Sequence, residues 1–138
     1  MTDQPLIAKR LAWIESCVER LRRLARPELI ASDPLQLAFV EHTLQTAIQA
    51  AIDVAALIIT ERKLGEPDAT RSLFQLLAQD GWLAPAAVVT WRRIIGFRNV
   101  VVHRYLDVDP AIVRSVLESN LQDLSAFVRS IRDHLNAP

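Results

Sequence analysis

The sequence has few cysteines, glycines and aromatic residues. These shortages exclude an intrachain disulfide, a glycine-rich phosphate loop and a core built mainly of aromatic side chains. Its 138 residues include one cysteine, three glycines and 6% aromatic residues. The lone Cys17 excludes an intrachain disulfide and favours a reducing compartment. No glycine-rich phosphate loop is present. Because 51% of the residues are apolar, we expect an aliphatic core in one domain spanning residues 1–138.

No segment reads as a secretory signal or a membrane span. The first five residues lack both a basic start and an apolar core. Residues 44–60 are long and nearly uncharged, but Gln45, Gln49 and Asp53 interrupt them, and a carboxylate near a bilayer centre is costly. We therefore expect a buried helix in a cytoplasmic protein that has no membrane partner.

Proline marks the boundaries of the predicted elements, because it is excluded from helix interiors but accepted in the first turn. No segment alternates as a strand does, so we expect an all-α chain. Asp33 and Asp109 precede prolines as N-caps, while Gly65 and Gly81 are expected to end two helices. The predicted helices cover about 5–25, 34–64, 70–79, from 85 to 103–105, and 110–135.

Positive charge is concentrated in one segment, residues 91–105. The whole chain is neutral, yet this segment holds four arginines and no acidic residue. Such an asymmetry indicates an anionic partner, and phosphate is the anion that arginine commonly binds. The four are Arg92, Arg93, Arg98 and Arg104.

The same segment carries groups suited to phosphodiester chemistry. Asn99 and His103 are four residues apart and share a helical stripe, with Arg98 about 140° round from His103. Histidine can transfer a proton, arginine can stabilise phosphate charge, and asparagine can orient either. One helix makes a thin site, so we expect two copies to face each other across a two-fold axis. Alternatively, His103 simply satisfies carbonyls at the helix C-terminus.

A metal site is not predicted, since the three histidines are far apart in sequence and Cys17 is remote from them. The chemistry that these residue types support without a metal is phosphodiester cleavage in RNA.

The motif Arg98-Asn99-x3-His103-x-Tyr105 resembles the Arg-x4-His-x-Tyr signature of the HEPN superfamily, specifically the HepT-like toxins. Residues 44–55, 65–67 and 95–103 also resemble that family, in the family's order. The resemblance therefore covers nearly the whole chain.

This resemblance implies a HEPN-like five-helix up-and-down bundle that forms a two-fold symmetric homodimer. It implies a metal-independent endoribonuclease toxin of a toxin–antitoxin pair, without a cofactor, whose two motifs meet at a composite cleft. Arg98 and His103 would be catalytic, and Asn99 would be the polar residue beside them. An MNT-type nucleotidyltransferase antitoxin would add AMP to Tyr105.

Four more residues have two interpretations or a supporting role. Arg93 and Arg104 are candidate RNA contacts. Asp53 either hydrogen-bonds inside the bundle or pairs with Arg98 or Arg104 to orient the site. Trp91 either stacks on a base or belongs to the core.

The alternative function is a non-catalytic helical partner, or nucleotide-binding module, for a minimal nucleotidyltransferase. The basic segment would then serve docking alone. The nuclease is favoured because His103 and Asn99 add nothing to simple charge complementarity.

Overall fold

Five α-helices make up the fold in a computed structural model that describes residues 3–104 and 106–137. A short 3₁₀ turn, Pro27–Leu29, follows the first helix, and no strand occurs in those described residues. The all-α prediction is confirmed. The helices are α1 (Gln4–Leu24), α2 (Pro34–Arg62), α3 (Ser72–Gln79), α4 (Pro85–His103) and α5 (Pro110–Leu135).

The predicted aspartate caps begin two of these helices. The Asp33 carboxylate accepts a hydrogen bond from the Leu35 amide at 3.0 Å, and Asp109 accepts one from the Ala111 amide at 2.9 Å. Each bond satisfies a backbone donor that has no partner within the helix, which stabilises the helix by ~1 kcal/mol. α4 begins at Pro85 with no side-chain cap.

The predicted glycine cap of α2 is wrong. α2 ends at Arg62, and Lys63 takes the left-handed conformation with φ 54°. The amides of Lys63 and Leu64 both donate to the Ile59 carbonyl, and the Leu64 side chain then packs partly buried against the core. The helix therefore closes before Gly65. At the end of α3 the prediction is confirmed, because Gly81 follows with φ 84°.

Helix α2 is the centre of the bundle and packs against α1, α3, α4 and α5. Among the described helices it alone is long and apolar enough to span a membrane by length and composition. However, 61% of its most apolar window is buried inside the fold. An apolar helix surrounded by other helices needs no lipid to cover it.

A cluster of three aromatic rings holds the inner face of α4. Trp91 stacks on Phe74 of α3 with centroids 4.5 Å apart and planes 4° apart, and it meets Phe127 of α5 at 5.1 Å. Trp91 is 2% exposed, so its core interpretation is confirmed. With this side anchored, the opposite side of α4 faces outward.

Candidate active site

The outward side of α4 carries four residues on one stripe. Arg92, Gly96, Asn99 and His103 occupy positions i, i+4, i+7 and i+11, and all four are exposed. At 3.6 residues per turn these positions lie on nearly the same line along the helix. We call this line the α4 stripe.

Arg98 lies beside the stripe and points toward α2. Its Nη2 donates to Gln49 Oε1 at 2.8 Å, and its Nη1 donates to Asn99 Oδ1 at 3.1 Å. Its Nε is buried and makes no hydrogen bond. A guanidinium has five N–H donors, so one hydrogen on each terminal nitrogen remains for a ligand.

The Gln49 amide has a defined orientation. Its Nε2 donates to Asp53 Oδ1 at 3.0 Å, and because a carboxylate only accepts hydrogen bonds, the amide nitrogen must face Asp53. The amide oxygen is therefore directed at Arg98. Asp53 is itself 4.0 Å from Arg10 Nε of α1. We call Arg98, Gln49, Asp53 and Arg10 the arginine relay.

The relay corrects one alternative from the sequence. Within residues 3–104 and 106–137, Asp53 makes no direct contact with Arg98 or Arg104 that qualifies as an ion pair. Gln49 lies between Asp53 and Arg98. Any orienting effect of Asp53 on Arg98 passes through the Gln49 amide.

Asn99 lies next to Arg98 in the chain and one helical turn before His103. Because Asn99 Oδ1 accepts from Arg98, its amide nitrogen points away with its donors available. His103 follows one turn later and is exposed. Within the part of the chain that the structure describes, no hydrogen bond joins its imidazole to a carbonyl or another side chain. The carbonyl-capping alternative for His103 therefore has no support.

The other residues predicted for the site are Arg93, Arg104 and Tyr105. Arg93 and Arg104 are exposed and bind no side chain among the described residues. The Arg104 amide closes α4 by donating to the Val100 carbonyl at 2.8 Å. Tyr105, the predicted AMP acceptor, lies outside the described residues.

A cavity of about 490 Å³ opens between the N-terminal half of α2 and the last turns of α4. Its walls include Glu41, His42 and Gln45 from α2 and Val101 and Val102 from α4. Burial raises the pKa of Glu41 above its usual value. No cluster of three or more metal-ligating side chains occurs among the described residues.

Gln49 is the site residue that sequence reasoning missed. Gln49 and its partner Arg98 are 49 positions apart in the chain, so no local pattern links them. Its one signal was the i, i+4 spacing to Asp53 on an otherwise apolar helix.

An all-helical bundle with an arginine, an asparagine and an unpaired histidine on one helix defines the class: helical proteins of the HEPN kind. Similarity to known proteins narrows this class to one family. A family profile described as "Ribonuclease HepT-like" matches residues 14–131. The chain belongs to the HepT-like ribonuclease family, as its motifs predicted.

Curated relatives and a solved structure agree with this assignment. The mRNA nuclease HepT of Shewanella oneidensis is 27% identical over 133 residues, covering 92% of this chain and 96% of that protein. The tRNA nuclease HepT of Aphanizomenon flos-aquae is 29% identical over 133 residues, covering 94% and 90%.

The solved structure is the tri-AMPylated Shewanella oneidensis HEPN toxin in complex with MNT antitoxin. It superimposes with a TM-score of 0.84 at 28% identity, over 96% of this chain and 98% of that one. The predicted HEPN-like helical fold is confirmed.

Proposed function

We propose that this protein is the endoribonuclease toxin of a toxin–antitoxin pair and that it cleaves RNA without a metal ion. One observation carries the proposal: His103 is exposed and unpaired one helical turn from Asn99, whose oxygen binds the Arg98 guanidinium. A proton-transfer group and a phosphate-binding group thus lie on neighbouring turns of one helix. The relatives named above as nucleases support it.

The proposed reaction is attack of a ribose 2′-hydroxyl on the adjacent phosphorus. A His103 imidazole takes the 2′ proton as the oxygen–phosphorus bond forms, and the bond from phosphorus to the 5′ oxygen breaks. An imidazolium returns a proton to that leaving oxygen. The two unused terminal hydrogens of Arg98, together with the outward Asn99 amide, stabilise the charge on the phosphoryl oxygens.

The active unit is a homodimer in which two copies of Arg98 and His103 line one cleft. A single chain leaves its α4 stripe open on one side, and two-fold dimers are the commonest way to cover such a face. Arg93 and Arg104 supply further RNA contacts at its edges. Each chain acts as one domain over residues 1–138, since all five helices share one core cluster, and it works in the cytoplasm.

The proposed partner is an MNT-type nucleotidyltransferase that silences the toxin with ATP. The Tyr105 oxygen attacks the α-phosphorus of ATP and loses its proton to solvent, AMP stays on the tyrosine, and pyrophosphate leaves with its electron pair. The new phosphate then competes with RNA for the nearby arginines. The AMPylated Shewanella toxin bound to its antitoxin supports this arrangement.

The test of activity uses purified protein, total RNA and EDTA. We expect cleavage that leaves 2′,3′-cyclic phosphate ends, and we expect Arg98→Ala to lose it by roughly 10²-fold or more. Arg23→Ala is the matched control, because it removes the same charge from α1, which packs on α2 and α5. Binding to a nucleotidyltransferase without any cleavage would establish the non-catalytic alternative instead.

The composite cleft is tested by mixing two inactive variants, Arg98→Ala and His103→Ala, after subunit exchange. If the cleft draws arginine and histidine from different chains, the mixed dimers recover part of the activity. No recovery, in a mixture that light scattering shows to be dimeric, would place each site within one chain.

The silencing step is tested with Tyr105→Phe. Co-expression with the partner enzyme should add one or more AMP groups to the wild-type toxin at Tyr105, found by peptide mass spectrometry. Tyr105→Phe should escape silencing and stay toxic. An adduct on another residue, or full neutralisation of Tyr105→Phe, would contradict this role.

A further inference from the structure

The cavity of about 490 Å³ between α2 and α4 adjoins the proposed catalytic residues. Val101 and Val102 form one wall, and they immediately precede His103 at the end of α4. The facing wall belongs to α2, whose Gln49 holds the proposed phosphate-binding arginine. In that wall Glu41 precedes Gln49 by eight residues, which is about 12 Å along the helix. The cavity therefore lies within reach of a base whose phosphate is held at the α4 site.

Glu41 is the acidic group of this cavity. Its side chain is half-buried in the wall, and burial raises its pKa above the ordinary value of 4.5. Within residues 3–104 and 106–137, neither a hydrogen bond nor an ion pair involves its carboxyl group. A carboxylate drawn partly out of water loses solvation that donors must replace. Since the described fold supplies no donor, the carboxylate is available to a ligand that carries N–H groups.

The rest of the lining suits a flat ring. Val101 and Val102 offer apolar surface, and the exposed His42 follows Glu41 in the opposite wall. Bases of single-stranded RNA stack on aromatic side chains, histidine included, and are read by hydrogen bonds to their Watson–Crick edges. An aliphatic wall, an imidazole and an unpaired carboxylate are together the groups that such a base requires.

Among the four bases, guanine matches a carboxylate best. A carboxylate only accepts hydrogen bonds, and the Watson–Crick edge of guanine presents two adjacent donors, N1–H and the N2 amino group. Adenine and cytosine present an amino group beside a ring nitrogen that accepts, and uracil presents its N–H between two carbonyl oxygens. Each of these three bases would set an acceptor against a carboxylate oxygen, which leaves a hydrogen bond unmade.

We propose that this cavity binds a guanine base of the RNA substrate through two hydrogen bonds to the Glu41 carboxylate, so that cleavage is selective for a phosphodiester next to a guanine. This inference rests on the proposed ribonuclease function and adds a sequence specificity to it. Glu41 is then a specificity-determining residue, whereas proton transfer stays with His103.

The first experiment compares RNA oligonucleotides that differ at a single base. Wild-type protein should cleave an oligonucleotide with one guanine among adenines and uracils with a kcat/KM roughly 5–150-fold above that for the same oligonucleotide with adenine there, the range for bidentate recognition of a base. Hypoxanthine, which lacks only the N2 amino group of guanine, should lose roughly 10-fold relative to guanine. Equal kcat/KM for the three oligonucleotides would overturn the proposal and leave the nuclease standing.

Glu41→Gln tests the carboxylate itself. An amide accepts with its oxygen and donates with its nitrogen, which fits the N6 amino group and N1 of adenine. The preference should therefore move from guanine toward adenine. Glu19→Gln makes the same change at an exposed position of α1 and should keep the guanine preference. An unchanged preference in Glu41→Gln would refute the guanine site. So would a loss of the dimer in light scattering, because the second copy would then cover the cavity.

Binding separates this inference from the proposed nuclease. Protein carrying His103→Ala leaves the RNA intact, so fluorescence anisotropy can measure its affinity for the guanine and hypoxanthine oligonucleotides. Tighter binding of guanine, which disappears when Glu41→Ala is added, would support the site even if the wild-type protein cleaved no RNA. Equal binding of the two oligonucleotides would refute the site, whatever the wild-type protein cleaves.

Discussion

Two histidines occupy the last turns of two helices, and their surroundings differ completely. His134 near the end of α5 lies against Trp82, with ring centroids 4.0 Å apart. Trp82 is 2% exposed and donates to Asp80 Oδ2 at 3.0 Å, and Arg62 lies 3.7 Å from that same oxygen. His103 at the end of α4 is exposed with no such neighbours.

The comparison teaches that helical position does not decide what a histidine does. Both residues sit where a positive charge suits the helix dipole. His134 contributes to a closed cluster whose polar atoms face one another. His103 lies one helical turn after Asn99, and none of the hydrogen bonds or ion pairs among the described residues involves its side chain, so the fold does not depend on it.

The largest expected effect separates these two histidines directly. His103→Ala should lower RNA cleavage by roughly 10²–10⁴-fold, because it removes the proton-transfer group. Its melting temperature should stay near that of the wild type, since no described side chain depends on it. His134→Ala should still cleave RNA at temperatures where the protein is folded. It should lose ~1 kcal/mol of stability, because the ring contact with Trp82 is gone.

Two measurements on both variants test this: thermal unfolding monitored by circular dichroism, and the rate of cleavage of one RNA substrate. The different roles of the two histidines would be contradicted if His103→Ala unfolds the protein, or if His134→Ala abolishes cleavage while the protein remains folded.

The next effect concerns the arginine relay. Gln49→Leu removes the acceptor that holds Arg98 Nη2, so the guanidinium loses its position and cleavage should fall by up to roughly 10²-fold. Gln45→Leu, one turn earlier on α2, is the matched control and should have a smaller effect, because the described contacts of Arg98 do not include it.

A double variant decides whether Gln49 acts through Arg98. In protein that already carries Arg98→Ala, Gln49→Leu should cause no further loss of cleavage. A full additional loss would mean that Gln49 contacts the RNA itself.

The sequence predicts the local features of this protein well. Proline after aspartate places the starts of α2 and α5 to the residue, because both the cap and the first turn depend only on neighbouring residues. The sequence leaves Trp91 two interpretations, base stacking or core, and its contacts with Phe74 and Phe127 decide for the core. Arg98, Asn99 and His103 can be singled out because they are consecutive or one turn apart on one helix and resemble the family's motif; their catalytic role stays a prediction.

What the sequence does not predict depends on contacts between helices. The hydrogen bond from Arg98 to Gln49 joins α4 to α2, and the ion pair of Asp53 with Arg10 joins α2 to α1. Likewise, Gly65 was expected to end α2, but Leu64 packs on the core and Lys63 takes the left-handed conformation. These outcomes are set by packing, which no local spacing encodes.

The smallest expected effect lies in the same last turn as His134, where Arg132 Nη2 is 2.7 Å from Glu15 Oε1 of α1. The hydrogen bond from Arg132 holds the pKa of Glu15 below its ordinary value of 4.5. A lowered folded-state pKa means that the pair stabilises the fold above the unfolded-state pKa and that this contribution is lost as pH falls through the folded-state value.

Glu15→Gln should therefore lower the free energy of unfolding at pH 7 by less than about 1 kcal/mol, because both side chains are about half exposed to solvent. The difference from the wild type should shrink as pH falls below 4.5, and also in high salt. Urea unfolding at pH 7 and pH 3 measures this, with Glu19→Gln on the same helix as the control. Cleavage at pH 7 should be unchanged, since Glu15 joins α1 to α5 and has no contact with α4 among the described residues. A loss of activity in the folded Glu15→Gln protein would show that the contact between α1 and α5 also affects the site on α4.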